Sequence, residues 1–193
     1  MNILIVYTHP NPGSFNHAIL ETVKNAAEAK GHNVNVRDLY SLGFNPVLTP
    51  DDLAAIQAGK TPETIKTEQA FIEKSDLVIA VHPIWWTGLP AMYKGYIDRV
   101  FSYGFAYAIT ENGIKGLLGD KKIIVFNTTG MPDEVYVPMG MHDSLKMTSD
   151  KGIYEFSGIK VLGHHFFGGV TMIDDAARKA LLERIVKILD EQI

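Results

Sequence analysis

Five short apolar runs, separated by helical stretches or loops, constrain the fold of this chain more than any other feature. They are rich in β-branched residues, and they cover Ile3–Tyr7, Val34–Arg37, Leu77–His82, Ile123–Asn127 and Val161–Phe166. Strands that are apolar along their whole length are typical of parallel sheets, because helices cover both faces of such a sheet. The sequence therefore predicts an α/β domain built on a five-stranded parallel sheet.

The stretches between these strands contain helical signals. Asn16–Lys30 is predicted to be a helix that ends before Gly31, a residue type that favours helix ends. Further helices are predicted after Thr61-Pro62 to about Ser75, over Ala91–Ser102, and around Ala177, Leu181, Ile185 and Ile188, which recur at helical spacing. Three segments are expected to be loops: Ser41–Pro50, Tyr103–Asp120 and Thr128–Ile153. We expect a flavodoxin-like three-layer sandwich with strand order 2-1-3-4-5, formed by residues 1–193 as one domain.

Composition excludes several classes of protein. The net charge of −4, without a cluster of Lys or Arg, argues against nucleic-acid binding. Cysteine is absent, which excludes disulfides, thiolate catalysis and cysteine-ligated metal centres. No apolar run approaches the roughly 18 residues of a membrane span, and Met1–Leu4 lacks the basic region of a secretion signal. We therefore expect a cytoplasmic protein that is not embedded in a membrane.

The first predicted strand leads into a polar turn, Thr8–Asn16, that opens the first helix. Such a turn presents free backbone N–H groups and hydroxyls at the positive end of a helix, where a phosphate binds readily. The turn contains neither the dinucleotide-binding pattern G-x-G-x-x-G nor the Walker pattern G-K-[ST]. The alternative is that Ser14 or Asn16 only caps the helix.

Two more loops are expected to join this turn, because ligands of such sheets bind at the carboxyl ends of the strands. The loop after the third strand carries Trp85 and Trp86, along which a planar aromatic ligand could lie. The alternative is that one tryptophan fills the core and the other packs at a subunit contact. The loop after the fourth strand begins with Thr128-Thr129-Gly130, whose backbone donors can hold the edge of a ring.

Tyr136 and His142 follow in the same loop. Tyrosine and histidine are the side chains best able to donate a hydrogen bond to a developing negative charge near neutral pH. The alternative for a histidine in a loop is an ordinary surface residue. His164 and His165 resemble a metal-binding pair, but neighbours in a strand point to opposite faces, so we expect structural roles for both and predict no metal site.

Six motifs in the same order resemble the flavin-dependent NAD(P)H:quinone oxidoreductase family, the group that includes DT-diaphorase. They are His9 with Ser14–Asn16, Phe44–Pro46, Pro83–Pro90, Lys94-Gly95 with Arg99–Phe101, Phe105–Tyr107, and Thr128–Gly130 with Tyr136 and His142. The resemblance implies that a bound flavin receives hydride from NAD(P)H and passes it to a quinone. The two substrates would use one pocket in turn, which gives ping-pong kinetics.

The resemblance also implies roles for matching residues. The cofactor-binding residues would be His9, Ser14, Phe15 and Asn16 around the phosphate and ribityl chain, and Pro83, Ile84, Trp85, Trp86, Thr87, Thr128, Thr129, Gly130, Met131 and Tyr136 around the ring. Arg178 would reach the adenylate side of FAD. Tyr136 and His142 would form the catalytic pair, and Tyr107, Trp86 and His142 would contact the quinone. One departure is Met131–Glu134, which replaces a turn that is rich in glycine and serine in the family.

Several alternatives stay open at this point. Arg178 and the first turn favour FAD, whereas the small size of the chain favours FMN. A homodimer is expected by analogy with the family. An electron-carrier flavodoxin would share the fold, although such chains are usually more acidic. An ancillary subunit of a potassium efflux system, or an azo- or nitro-reductase, would share the flavin site as well.

Overall fold

The computed structural model describes residues 1–193 and contains the five predicted strands together with two short additional ones. The strands are β1 (Asn2–Tyr7), β2 (Asn33–Asp38), β3 (Leu77–Pro83), β4 (Tyr107–Thr110), β5 (Gly113–Gly116), β6 (Lys122–Thr128) and β7 (Lys160–Phe167). The central sheet has the order β2-β1-β3-β6-β7, and all its neighbouring strands are parallel. This is the predicted order 2-1-3-4-5. Each predicted strand end agrees with the structure to within one residue.

Helices cover both faces of this sheet. They are α1 (Phe15–Ala29), α2 (Pro50–Gln57), α3 (Glu63–Lys74), α4 (Ala91–Val100), α5 (Asp133–Tyr136), α6 (Met141–Lys146), a π-helix (Met147–Glu155) and α7 (Asp175–Gln192). On one face, α1 and α7 pack on the strands. On the other face, α3, α4 and the π-helix do so. The predicted flavodoxin-like three-layer sandwich is thus confirmed.

The continuous apolar runs follow from this double coverage. Along β1, Ile3 and Ile5 face α1 and α7, whereas Leu4 and Val6 face α3 and α4. All four side chains are at most 1% exposed. Successive strand residues point to opposite faces, so a strand buried on both sides has no position for a polar residue.

Two of the three expected loops contain regular structure, an unpredicted helix begins at the end of the third, and one predicted helix is shorter than expected. The segment 103–120 holds the antiparallel hairpin of β4 and β5, and the segment 128–153 holds α5, α6 and most of the π-helix. The helix α2 begins at Pro50, where Thr49 and Asp52 form a capping box. The helix α4 ends at Val100 instead of Ser102. Short elements of four to nine residues leave too few apolar positions for a periodic pattern.

Two of the six family motifs are structural. A Cβ atom at Gly95 in α4 would collide with the backbone of Pro46, so the two segments pack directly together. Arg99 fixes the same segment, because its Nη1 donates to the carbonyl of Asn45 at 2.7 Å and its Nη2 pairs with Asp52 at 2.9 Å. No helix of the chain is long and apolar enough to cross a membrane.

Candidate active site

A cavity of about 1070 Å³ opens at the carboxyl ends of β1, β3 and β6. It lies at the point where the strand order reverses around β1, which is the ligand-binding position in sheets of this kind. The predicted residues on its wall are His9, Ser14, Phe15, Asn16, Pro83, Ile84, Trp85, Trp86, Thr128, Thr129, Gly130 and Arg178. Gly13, Ala18, Val170 and Thr171 complete the wall. The three loops therefore converge as the sequence predicts.

The first wall is the N-terminus of α1. Ser14 caps this helix, because its Oγ accepts a hydrogen bond from the N–H of His17 at 3.2 Å. The N–H groups of Phe15 and Asn16 occupy the first helical positions, which have no acceptor within the helix. The capping alternative is thus correct for Ser14, and capping leaves the neighbouring donors free for an anion.

Asn16 does not cap the helix but joins two walls of the cavity. Its Nδ2 donates to Thr128 Oγ1 at the end of β6, at 2.8 Å. Its Oδ1 is buried and has no hydrogen-bond partner. A buried acceptor without a partner is costly, so this atom marks a position where a ligand with a donor group would be stabilised.

The second wall is a tight turn that carries both tryptophans. Trp85 and Gly88 exchange two backbone hydrogen bonds of 3.1 Å each. Between them, Trp86 has φ 49° and Thr87 has φ 54°, the left-handed values of a type I′ turn. A β-branched threonine rarely adopts this conformation, and such strain is often found at functional sites.

Neither tryptophan packs in the core. Trp85 is 41% exposed and Trp86 is fully exposed. The alternative in which one of them fills the core is therefore wrong. The edge of Trp85 contacts the ring of His9, with 5.8 Å between the ring centroids. This contact connects the second wall to the first turn.

The third wall joins the ends of β6 and β7. Thr129 N–H donates to the carbonyl of Phe167 at 3.0 Å, and Val170 N–H donates to the carbonyl of Thr129 at 3.3 Å. These bonds bring Val170 and Thr171 to the cavity, which the sequence reasoning missed. A signal was present, since Gly168-Gly169 directly follows the last strand, where a turn at the same edge of the sheet is to be expected.

Arg178, in the first turn of α7, is the one permanently charged side chain on the wall. Its Nε and Nη2 each donate to the carbonyl of Val170 at 3.3 Å, and its Nη1 pairs with Asp175 at 2.9 Å. The guanidinium is therefore held in place beside the cavity. A fixed cation together with the N-terminus of α1 makes this part of the cavity attractive to phosphate groups.

Tyr136 and His142 lie together, but neither is on the cavity wall. Their ring centroids are 6.3 Å apart and their planes nearly perpendicular, at 86°. Phe166 stacks on the other side of His142, with centroids 4.1 Å apart. Burial lowers the pKa of His142 below its ordinary value, while the carboxylate of Asp133 opposes this shift.

Three further predicted site residues also lie off the wall. Thr87 is part of the exposed turn beside Trp86. Met131 is exposed, and its carbonyl accepts hydrogen bonds from Thr129 and Gly169. Tyr107 is in the hairpin, where it packs on Tyr103 and Phe156. Their roles in binding remain predictions.

His164 and His165 point to opposite faces of the sheet, as expected. His164 Nδ1 lies 2.8 Å from Asp150 in the π-helix, and its Nε2 lies 2.7 Å from Asn127 Oδ1. His165 stacks on Phe126 on the other face. Both histidines thus have protein neighbours that account for their positions.

Comparisons with known proteins agree with this geometry. A family model described as the flavodoxin-like fold matches residues 1–189. A protein of Haemophilus influenzae that is named an uncharacterized NAD(P)H oxidoreductase is 42% identical over 95% of this chain and 91% of its own length. NAD(P)H dehydrogenase [quinone] 1 of Cavia porcellus is 31% identical over 97% of this chain and 77% of its own length.

Among solved structures, the NAD(P)H:quinone oxidoreductase from Methanothermobacter marburgensis superimposes with a TM-score of 0.87. The two sequences are 29% identical, and the match covers 97% of this chain and 94% of that one. The site geometry and the similarity over nearly the whole length lead to one conclusion: this chain belongs to the NAD(P)H:quinone oxidoreductase family of flavodoxin-like proteins.

Proposed function

We propose that this chain catalyses the two-electron reduction of quinones by NAD(P)H, with a flavin held in the cavity at the carboxyl edge of the sheet. The observation that carries the proposal is that two walls of the cavity suit different parts of a flavin nucleotide. The N-terminus of α1 suits a phosphate, and the exposed turn of Trp85 and Trp86 suits a flat ring. Azo and nitro compounds are further acceptors that the same chemistry would serve.

The residues present fit a flavin nucleotide. The N–H groups of Phe15 and Asn16 would bind the phosphate, and Ser14 would hold them in place as the helix cap. The unpaired Oδ1 of Asn16 would accept a hydrogen bond from the hydroxyl-rich ribityl chain. The backbone of Ile84–Thr87 and of Thr128–Met131 would contact the ring. The cavity volume of about 1070 Å³ lies slightly above the range of roughly 300–1,000 Å³ for ligand pockets.

A bound flavin supplies the ability to accept a hydride from NAD(P)H and to give it to a quinone. The overall reaction is balanced when NAD(P)H, one proton and the quinone give NAD(P)⁺ and the hydroquinone. The protein must therefore position the two substrates and handle one proton.

Tyr136 and His142 are the groups that we propose for the proton. Both side chains can donate hydrogen bonds, and both lie in the segment that follows β6. Their proposed task is to donate to the negative charge that develops at the ring edge. Replacing Tyr136 by Phe, or His142 by Gln, should each lower the rate of flavin reduction by roughly 10- to 10³-fold. Unchanged rates in both variants, measured by anaerobic stopped-flow spectroscopy, would remove the pair from the reaction.

We propose FAD as the cofactor, with FMN as the alternative. Only FAD has an adenylate portion, and Arg178 is a fixed cation beside the phosphate end of the cavity. The test is to release the cofactor by heat and to identify it by chromatography. The matched measurement is binding of each nucleotide to the cofactor-free protein. Arg178→Ala should weaken FAD about tenfold and leave FMN nearly unchanged, whereas equal effects on both would favour FMN.

We also propose that the chain acts as a homodimer. Tyr107 is proposed to contact the quinone, yet it does not line the cavity of its own chain. Trp86, Tyr103 and Ile109 are exposed aromatic or aliphatic side chains that a second copy would cover. Light scattering should give twice the mass of one chain. A monomer that reduces quinones at full rate would exclude this arrangement.

A further inference from the structure

Asp133 lies against the imidazole of His142. Its Oδ1 is 3.4 Å from His142 Nε2. Both atoms are buried, and neither has a hydrogen-bond partner. Two buried polar atoms that face each other in this way are stable together only if a proton lies between them, since an ionised carboxylate can only accept.

The position of Asp133 is fixed by its surroundings. It is the first residue of α5, directly after Pro132. A Cβ atom at Gly168 would collide with the backbone N and the carboxylate of Asp133, so the strand end and the helix start pack directly together. The Asp133 side chain is 41% exposed, so this packing restrains the carboxylate on the side of Gly168 while the other side faces solvent.

The imidazole of His142 is also confined. Phe166 stacks on one face with a 12° angle between the rings, and the edge of Tyr136 approaches it. The side chain of His142 is 15% exposed. With Phe166 on the face and Asp133 at Nε2, the ring has little freedom to flip.

We propose that Asp133 is the positioning residue of His142, which keeps the Nε2 proton on the imidazole and thereby makes Nδ1 the nitrogen that exchanges a proton with the ligand. This inference rests on the proposed function of His142 as proton donor. The sequence here departs from the resembling family, whose turn is rich in glycine and serine at Met131–Glu134. The departure places an acidic side chain beside His142.

The pairing has a direct electrostatic consequence. Burial lowers the pKa of His142, and Asp133 is the largest influence in the opposite direction. The other charged or titratable groups that face the imidazole are Lys146 and Asp143 on α6 and His164 on β7; Lys146 and His164 lower its pKa, and Asp143 raises it. An ionised carboxylate within about 4–6 Å favours the charged imidazolium. Asp133 thus keeps more of His142 in the proton-donating form near neutral pH.

The test is to titrate His142 in the holoprotein of Asp133→Asn and to monitor the histidine ring signals by NMR. The signals of His142 are identified by their absence from the spectrum of His142→Gln. The variant keeps the shape of the side chain and removes its charge. The pKa of His142 should fall by about 1 unit, the scale of a nearby opposite charge. Glu134→Gln is the matched control, because Glu134 is the next residue of α5 and is not among the groups that influence His142. It should leave the titration unchanged.

A second measurement, the pH dependence of flavin reduction, distinguishes a failure of this inference from a failure of the proposed function. If His142 is the proton donor, the pH above which flavin reduction slows should fall by the same amount in Asp133→Asn, with the rate at low pH retained. A shifted titration with an unchanged rate profile supports the pairing and removes His142 from the reaction. An unchanged titration in Asp133→Asn overturns the inference. Asp133→Ser also removes the charge and serves as a second variant in case Asp133→Asn misfolds. It must lower the pKa of His142 by the same amount.

Discussion

Asn16 Nδ2 donates a 2.8 Å hydrogen bond to Thr128 Oγ1 and so joins the first helix to the end of β6 across the cavity. Both residues are almost completely buried, at 4% and 3% exposure. The bond connects segments that are 112 positions apart in the sequence. It therefore fixes the distance between the first and the third wall of the cavity.

Asn16→Ala should lower the free energy of unfolding by about 1–3 kcal/mol, because Thr128 Oγ1 would lose its buried partner. It should also weaken flavin binding. Urea denaturation of the cofactor-free protein measures the first effect. The control is Asn33→Ala, which removes the 3.1 Å hydrogen bond to Asn2 at an exposed position and should cost less. Equal costs for the two variants would contradict the structural role of Asn16.

Ser14 offers a way to separate helix capping from phosphate binding. Ser14→Ala should cost about 1 kcal/mol of stability, since the Oγ that accepts from His17 N–H is lost. Ser14→Asp should retain the stability, because aspartate is an equally good cap and its charge suits a helix N-terminus. The same charge should repel a phosphate and weaken flavin binding at least about tenfold. Flavin binding to Ser14→Asp at normal strength would exclude a phosphate at this helix.

The left-handed backbone at Trp86 and Thr87 predicts that a glycine in this turn increases the stability of the protein. Thr87→Gly should raise the free energy of unfolding by about 0.5–1 kcal/mol, because the release of left-handed strain exceeds the entropy cost of glycine. Thr64→Gly is the control, at an exposed threonine of α3 without positive φ, and should be destabilising. Thermal unfolding measures both. A loss of stability in Thr87→Gly equal to that in the control would show that the turn is not strained.

The buried histidine His82 predicts a pH dependence of stability. It stacks on Tyr93, and burial lowers its pKa from 6.5 to about 4. The unfolded chain therefore binds more protons than the folded one between these values, so stability is complete above pH 6.5 and falls as the pH drops towards 4. The loss from this group is about 3 kcal/mol. His82→Phe should flatten this part of the curve of unfolding free energy against pH, and an unchanged slope would contradict the assignment.

The sheet could be predicted from the sequence because its strands are buried on both faces. That burial requires continuous apolar runs. Ile79 and Ile124, in the middle of their strands, have only apolar neighbours in the sequence. The hairpin of β4 and β5 could not be predicted in this way. Its burial pattern has no apolar alternation, and Ile109 and Ile114 are both exposed.

The convergence of the three loops on one cavity could be predicted from one topological rule, which states that loops at the carboxyl edge of a parallel sheet lie close together. The environment of His142 did not follow from the sequence. Phe166 lies in β7 and Gly168 directly follows that strand, and the two residues pack against His142 and Asp133. The left-handed backbone at Trp86 and Thr87 could not be predicted from the sequence either, because neither residue is glycine or asparagine, the usual signals of such a turn.

Flavin-mediated electron transfer from NAD(P)H to a quinone is measured by following the two half-reactions of the purified protein in an anaerobic stopped-flow instrument. We expect NAD(P)H to bleach the visible absorption of a bound flavin, and a quinone, added afterwards, to restore it with one quinone consumed per flavin. A protein that takes up neither FAD nor FMN, or whose bound flavin is not bleached by NADH or NADPH, would contradict the proposed function.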